Sequence, residues 1–209
     1  LFFGRGRSAP LSYFAIHGFY TQNIRWRCHD VAPAAPAGEG GHMGLGTFSY
    51  RRDDAVSYAK QWALRRNPRY LDFSNMGGDC TNFASQCIYA GSGVMNYTQT
   101  FGWYYNSARD RAPAWTGVEY LYNFLTGNQK EGPFAKESPL HEAEPGDVIQ
   151  LAIHHEWYHH SPVVVDVREP TPDGILLAAH SYDSLMRPLS SYDYRKLRLL
   201  HIEGVRKWQ

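Results

Sequence analysis

The sequence predicts an α+β domain, with helices in the first half of the chain and an antiparallel sheet in the second. Two observations carry this prediction. Apolar residues recur at helical spacing in three stretches between positions 53 and 127. From position 147 onward, aliphatic and β-branched runs broken by turn residues take over, and no internal repeat interrupts that order. At 209 residues the chain has room for one domain with an appendage. Its 43% hydrophobic and 20% charged residues exclude disorder as a description of the whole.

Residues 1–46 read as an N-terminal extension or linker, partly disordered or cloning-derived. The run VAPAAPAGEGGHMGLG is rich in Ala, Pro and Gly, and its Gly-His-Met triplet looks like a cloning scar or a start site. The domain proper is expected over 47–209. Its first helix starts at Asp53. Ala55, Val56, Ala59, Trp62 and Ala63 form one stripe, Asp53 and Asp54 suit the positive end, Arg65 and Arg66 suit the negative end, and Asn67-Pro68 stops it. The second helix starts at Cys80 after Gly77-Gly78-Asp79, with Asp79 as its N-cap, and ends at Gly91. The third starts at Thr116, where Thr116 and Glu119 make a capping box, and stops at Gly127-Asn128. Strands follow at about 147–153, over SPVVVDV, over ILLAA beyond the turn PTPDG, and near 197–203.

Composition also bounds function. With 21 Lys and Arg against 20 Asp and Glu, the formal charge is +1, which argues against nucleic acid as a ligand. No apolar run reaches the ~18 residues of a membrane span. No signal peptide is visible, so a soluble protein, cytoplasmic or secreted, is expected and the compartment stays open. The three cysteines, Cys28, Cys80 and Cys87, are too few and too odd for a disulfide framework. Cys80 and Cys87 lie about 10 Å apart along one helix, beyond the reach of a disulfide. Free thiols are expected, in a reducing compartment or kept for chemistry.

Cys80 is the candidate nucleophile. At a helix N-terminus the exposed N–H groups and the dipole favour thiolate, and the Cys80 N–H lies outside the helical ladder, where it can meet an oxyanion. Cys87, among apolar residues in mid-helix, reads as core. A nucleophilic cysteine needs a base, and His160, at the entry to the Val163–Val167 run, can face the helix start. A turn centred on Thr171 puts His180 across from position 162, diagonal to His160, and a half-residue shift puts Asp183 opposite His160 instead. Either could orient the base.

The blocks YRRDDAVSYAKQWALRRNPRY, GGDCTNFASQCIYAG, GWYY, GDVIQ, HSPVV and HSYDSLMRPLS resemble the bacterial putative amidase-domain family. That family is similar to the papain-like clan, near the NlpC-type cell-wall peptidases and the CHAP amidases, and the likeness runs from about Tyr50 to Ile202. It implies a papain-like fold, with Cys80 as nucleophile, His160 as base and His180 as third member, or Asp183 in its place. His159 departs from the pattern, in which one histidine is expected; His160-Ser161 matches the family's His-Ser/Thr pair. The implied substrate is a peptide or peptidoglycan-like amide.

Other residues have mostly plain readings. His155-Glu156-Trp157-Tyr158-His159 spells H-E-x-x-H, a zinc-hydrolase motif when it lies on a helix. Here a strand-like run precedes it and Pro162 follows, so no helix of two turns fits. Asp79 reads as a cap, and Asn82 as serving that cap or donating near the thiol. Gln86 is a lesser candidate. Trp103, Tyr104 and Trp157 read as core or as walls of a substrate cleft. The expected reaction is amide hydrolysis through an acyl-enzyme on Cys80, with His160 moving protons, and this chemistry requires no cofactor. The alternatives are a catalytically inactive binding module of the same fold and a zinc hydrolase built on His155 and His159.

Overall fold

The computed structural model describes residues 44–154 and 156–209. The described chain runs β1 (Leu45–Phe48), α1 (Arg52–Trp62), α2 (Cys80–Ser92), β2 (Tyr105–Ser107), β3 (Asp110–Arg111), α3 (Pro113–Thr116), α4 (Val118–Gly127), β4 (Gly132–Ser138), β5 (Val148–Ile153), β6 (Val163–Val167), β7 (Ile175–Ala179), β8 (Ser184–Pro188) and β9 (Tyr194–Trp208), with short 3-10 turns at Leu140–Glu142 and Leu189–Ser191. Helices and an antiparallel sheet make it α+β. No described helix is long and apolar enough to cross a membrane.

Seven strands form the main sheet, in the order β1-β9-β5-β6-β7-β8, with β4 also on β9. The long β9 organises one side of it. Leu199 and Leu200 pair with both β5 and β4, and Val205 pairs with both β1 and β4, so β4 holds one edge while β5 and β1 share the other. Both faces of the sheet are covered. Val148, Val163, Val165, Leu176 and Ala178 face the helices, where Phe83, Ile88, Trp103, Trp115 and Leu121 complete one core. Their neighbours in sequence, Ile149, Val164, Ile175 and Leu177, turn the other way and pack with Leu189 and Tyr192. Period-two alternation thus divides the strands between two cores.

A buried ionic node ties helix to sheet. Asp147, fully buried, accepts from Arg52 at 2.7 Å, from His201 at 2.9 Å and from the backbone N–H groups of Ile202 and Glu144. The GDVIQ block therefore anchors the start of α1 onto the sheet.

Several boundaries differ from expectation. The division at residue 46 falls inside β1, because Leu45 and Gly46 pair with Trp208 and Lys207. Arg65 and Arg66 lie beyond α1, which ends at Trp62. Gly91 does not end α2: it lies within the helix, where a Cβ would overlap the Tyr50 ring, and the left-handed cap is Gly93, at φ 67°. Thr116 closes α3, the N-cap of α4 is Gly117, and no capping box forms. Cys28 lies outside the described residues.

Candidate active site

The site begins with the chain entering α2. Gly77 and Gly78 adopt φ of 102° and 116°, a region that a side chain would strain. They deliver the chain to Asp79, the N-cap, whose carboxylate makes no capping bond. The first-turn N–H groups of α2 are therefore not consumed by a side-chain cap, and that of Cys80 points outside the helical ladder.

The Asp79 carboxylate, with no exposed surface, is held by its neighbours instead. It accepts from the Phe73 N–H at 2.9 Å, from Asn82 Nδ2 at 2.8 Å and from His180 Nδ1 at 2.6 Å. His180 stacks on Phe83, with ring centroids 4.1 Å apart, and its Nε2 meets the Trp62 carbonyl at 2.9 Å. Next to it, Ser181 Oγ accepts the Asp79 N–H at 2.6 Å. His180 and Ser181 together clamp the entry to α2.

Both ring nitrogens of His180 are therefore committed to groups other than His160, so it does not orient that ring. The β6–β7 ladder supplies the physical reason. Val163 pairs with Ala178 and Val164 with Leu177, and a bulge separates them from the Asp166–Leu176 and Val167–Ile175 pairs. The extra residue is Val165 of β6, so the entry to β6 slips by one against β7, while β7 keeps its alternation with Leu176 and Ala178 toward the helices. Asp183 does not take the role either: it forms a two-pronged pair with Arg66 at 2.8 and 2.9 Å.

His160 sits just before β6, its backbone bonded to Leu151 of β5. The chain on either side of it touches the thiol. Cys80 Sγ donates to the His159 carbonyl at 3.8 Å, and the Ser161 N–H is directed at the sulfur. Ser161 Oγ also meets Thr81 Oγ1 at 3.2 Å. Cys80 and His160 line one open cavity of about 620 Å³, with Gly77, Gly78 and His159 beside them and Tyr192 and Arg187 across it. The His160 ring lies 5.7 Å from the Tyr192 ring. Among the described residues, His154, Ser181 and Tyr182 line this cavity with positive φ, concentrating backbone strain at its rim.

Burial governs the two ionisations. It raises the Cys80 thiol above its ordinary value, against the pull of the Ser161 N–H and of Thr81. Burial thus opposes the thiolate that the helix end was expected to favour. Burial also lowers His160 to about 4, with the charges of His159 and Arg187 adding to it. At neutral pH the resting state holds a neutral thiol and a neutral imidazole.

The remaining candidates lie elsewhere. Asn82 links Asp79 and the Leu71 carbonyl to Trp115, and Gln86 accepts from the Tyr58 hydroxyl. Trp103 is fully buried, donates to Ser85 and packs on Trp115. Tyr104 stacks on Tyr97, 5.1 Å away. Trp157 is 63% exposed and is not among the residues lining the cavity. His155 lies outside the described residues. Glu156, outside any helix, reaches Lys196 and Arg195. Sequence reasoning missed Ser161, Ser181, Arg187 and Tyr192. Only the first two had a signal, as the serines following the two histidines.

The family described as "Putative amidase domain" matches residues 49–202. The chain belongs to this family. Amide hydrolysis is the activity that membership indicates, at the level of reaction class. A curated relative, named "Uncharacterized protein YhbB", of Bacillus subtilis (strain 168), is 31% identical over 149 residues, 70% of this chain. The match spans 46% of that relative's length. No solved structure matches the chain.

Proposed function

We propose that this domain is a cysteine-dependent amide hydrolase of papain-like architecture, with Cys80 as nucleophile and His160 as base. One observation carries the reading: Cys80 begins a helix and opens into the same cavity as His160, whose chain neighbours touch the sulfur from both sides. The order of helix, nucleophile and antiparallel sheet, and the family's amidase description, support it.

The two neutral groups imply a general-base route. As the Cys80 sulfur attacks the carbonyl carbon, its proton passes to an imidazole nitrogen of His160. The carbonyl electron pair moves to oxygen, and the first-turn N–H groups of α2 hold that oxyanion. His160 then returns the proton to the departing amine as the C–N bond breaks, leaving a thioester on Cys80. Water, deprotonated by His160, attacks the thioester carbon; the C–S bond breaks, the acid departs, and His160 returns the proton to the Cys80 sulfur. His160 packs against Tyr192, while His180 and Ser181 act on Cys80 by fixing the backbone that carries it. The substrate class is a peptide or cell-wall peptide amide.

The test is turnover of a set of peptide and muropeptide amides by wild type, Cys80→Ala, His160→Ala and His159→Ala. Cys80→Ala and His160→Ala are each expected to lose at least about 10²-fold in kcat with folding retained. Activity that survives in Cys80→Ala, or that is lost only in His159→Ala, overturns the assignment.

A further inference from the structure

We propose that Arg187 is an anion-binding element of the Cys80 cavity and that it selects substrates carrying a carboxylate close to the scissile amide. The proposal rests on the cysteine hydrolase reading and narrows its substrate. Among the described residues, Arg187 is the sole Lys or Arg lining the cavity, and no described carboxylate lies within ion-pair distance of it. The one carboxylate on the cavity wall, Asp193, approaches His154 instead, at 3.6 Å.

The guanidinium is held in place rather than left to wander. Its Nε donates to Ser191 Oγ at 2.8 Å and its Nη2 to the Ser191 carbonyl at 2.9 Å. Its carbon lies 3.8 Å over the Tyr192 ring, the ring that also packs against His160. A guanidinium has five N–H donors, and these contacts use two of them, so a fork remains for a planar oxyanion. Fixing the side chain in advance lowers the entropic cost of binding.

The chemistry of the site benefits. The Arg187 charge disfavours protonated His160, and His160 must carry a proton while the tetrahedral intermediate exists. A carboxylate bound to Arg187 offsets that charge at the stage when protonation is needed. An acidic substrate would then assist its own cleavage, whereas a neutral one would leave the imidazolium beside an unneutralised cation.

Two measurements on the full chain test this. In the first, Cys80 is alkylated with iodoacetate and with iodoacetamide, the rates being read site by site by peptide mass spectrometry. The reagents are close in size and differ in charge and in intrinsic reactivity; the intrinsic part cancels between variants, so the change in their rate ratio reports the local preference for an anion. Arg187→Gln is expected to lower the iodoacetate-to-iodoacetamide ratio about tenfold, with Arg187→Lys between it and wild type. In the second, N-acetylglycine and its neutral amide N-acetylglycinamide are titrated against the His160 ring-proton NMR signal. Wild type is expected to bind the acid about tenfold tighter, and Arg187→Gln to lose the preference. An unchanged rate ratio, or equal binding of the two ligands by wild type, overturns the proposal. If neither reagent labels Cys80 while the acid is still preferred, the anion site stands and the nucleophile assignment falls.

Discussion

Burial is the largest influence on the ionisation of both Cys80 and His160: it outweighs the hydrogen bonds that favour thiolate at Cys80, and the charges of His159 and Arg187 add to it at His160. The helix start supplies N–H groups that would stabilise a thiolate, but Cys80 is only 7% exposed and its thiol pKa goes up. His160 goes down to about 4, so the base is ready over most of the pH range. The acid limb of kcat/KM is therefore expected near pH 4, well below the 6.5 of a free imidazole; a pH–rate profile with its acid limb near 6.5 would contradict this. Stability follows the same shift. Between pH 6.5 and 4 the unfolded chain binds a proton at this position that the folded chain does not. Stability is thus full above 6.5 and falls as the pH drops through that window, by on the order of 3 kcal/mol in total. Urea midpoints of wild type and His160→Gln at pH 7 and 4.5 test it: wild type is expected to lose about 2 kcal/mol more than the variant. Cys80, which opens on the cavity, is also expected to alkylate faster than Cys87, which has no exposed surface.

At the scale of elements, the entry to α2 is the piece on which the site depends. His180, Ser181, Asp79 and Asn82 form one polar assembly around it, and the removal of a single member takes a hydrogen bond from its neighbours. His180→Ala is expected to cost about 2–3 kcal/mol in urea unfolding, since the buried Asp79 carboxylate loses its shortest hydrogen bond and keeps Phe73, Asn82 and, at 3.6 Å, Arg66. Gly78→Ala is expected to cost about 1–2 kcal/mol through its φ of 116°. If His180 oriented the base directly, His180→Ala would lower kcat without a loss of stability of this size. The three long helices were legible because each carries a continuous apolar stripe, and Cys80 was legible because Gly-Gly-Asp precedes a helix. The partners of His180 were not. They are Asp79 and the Trp62 carbonyl, brought to the end of β7 by the packing of α1 and α2, and the bulge in β6 shifts the His160 side by one residue against β7. β1, β4 and β8 also escaped, since GTF, AKES and MRP lack alternating apolar residues and gain strand form only by pairing with β9 or β7.

For the whole molecule, the sheet's two covered faces explain the length of its apolar runs: VVV and ILLAA face a core on either side and so show no polar alternation. The Asp147 node joins the helical layer to that sheet. Arg52→Ala is expected to lower stability by about 3 kcal/mol at pH 7, measured by urea unfolding, because Asp147 keeps His201 and two backbone donors but loses its permanent cation. Arg52→Lys should recover part of that loss.

β9 binds three strands that precede it, and its partner in the pair Leu45↔Trp208 was made more than a hundred and fifty residues earlier. Until it arrives, β1, β4 and β5 expose unbonded edges, which are templates for association with other chains. Contacts of such long sequence separation fold slowly, on the order of milliseconds to seconds. A nascent chain would therefore spend its most aggregation-prone interval with the nucleophile's helix already made and the strand that completes its scaffold still missing.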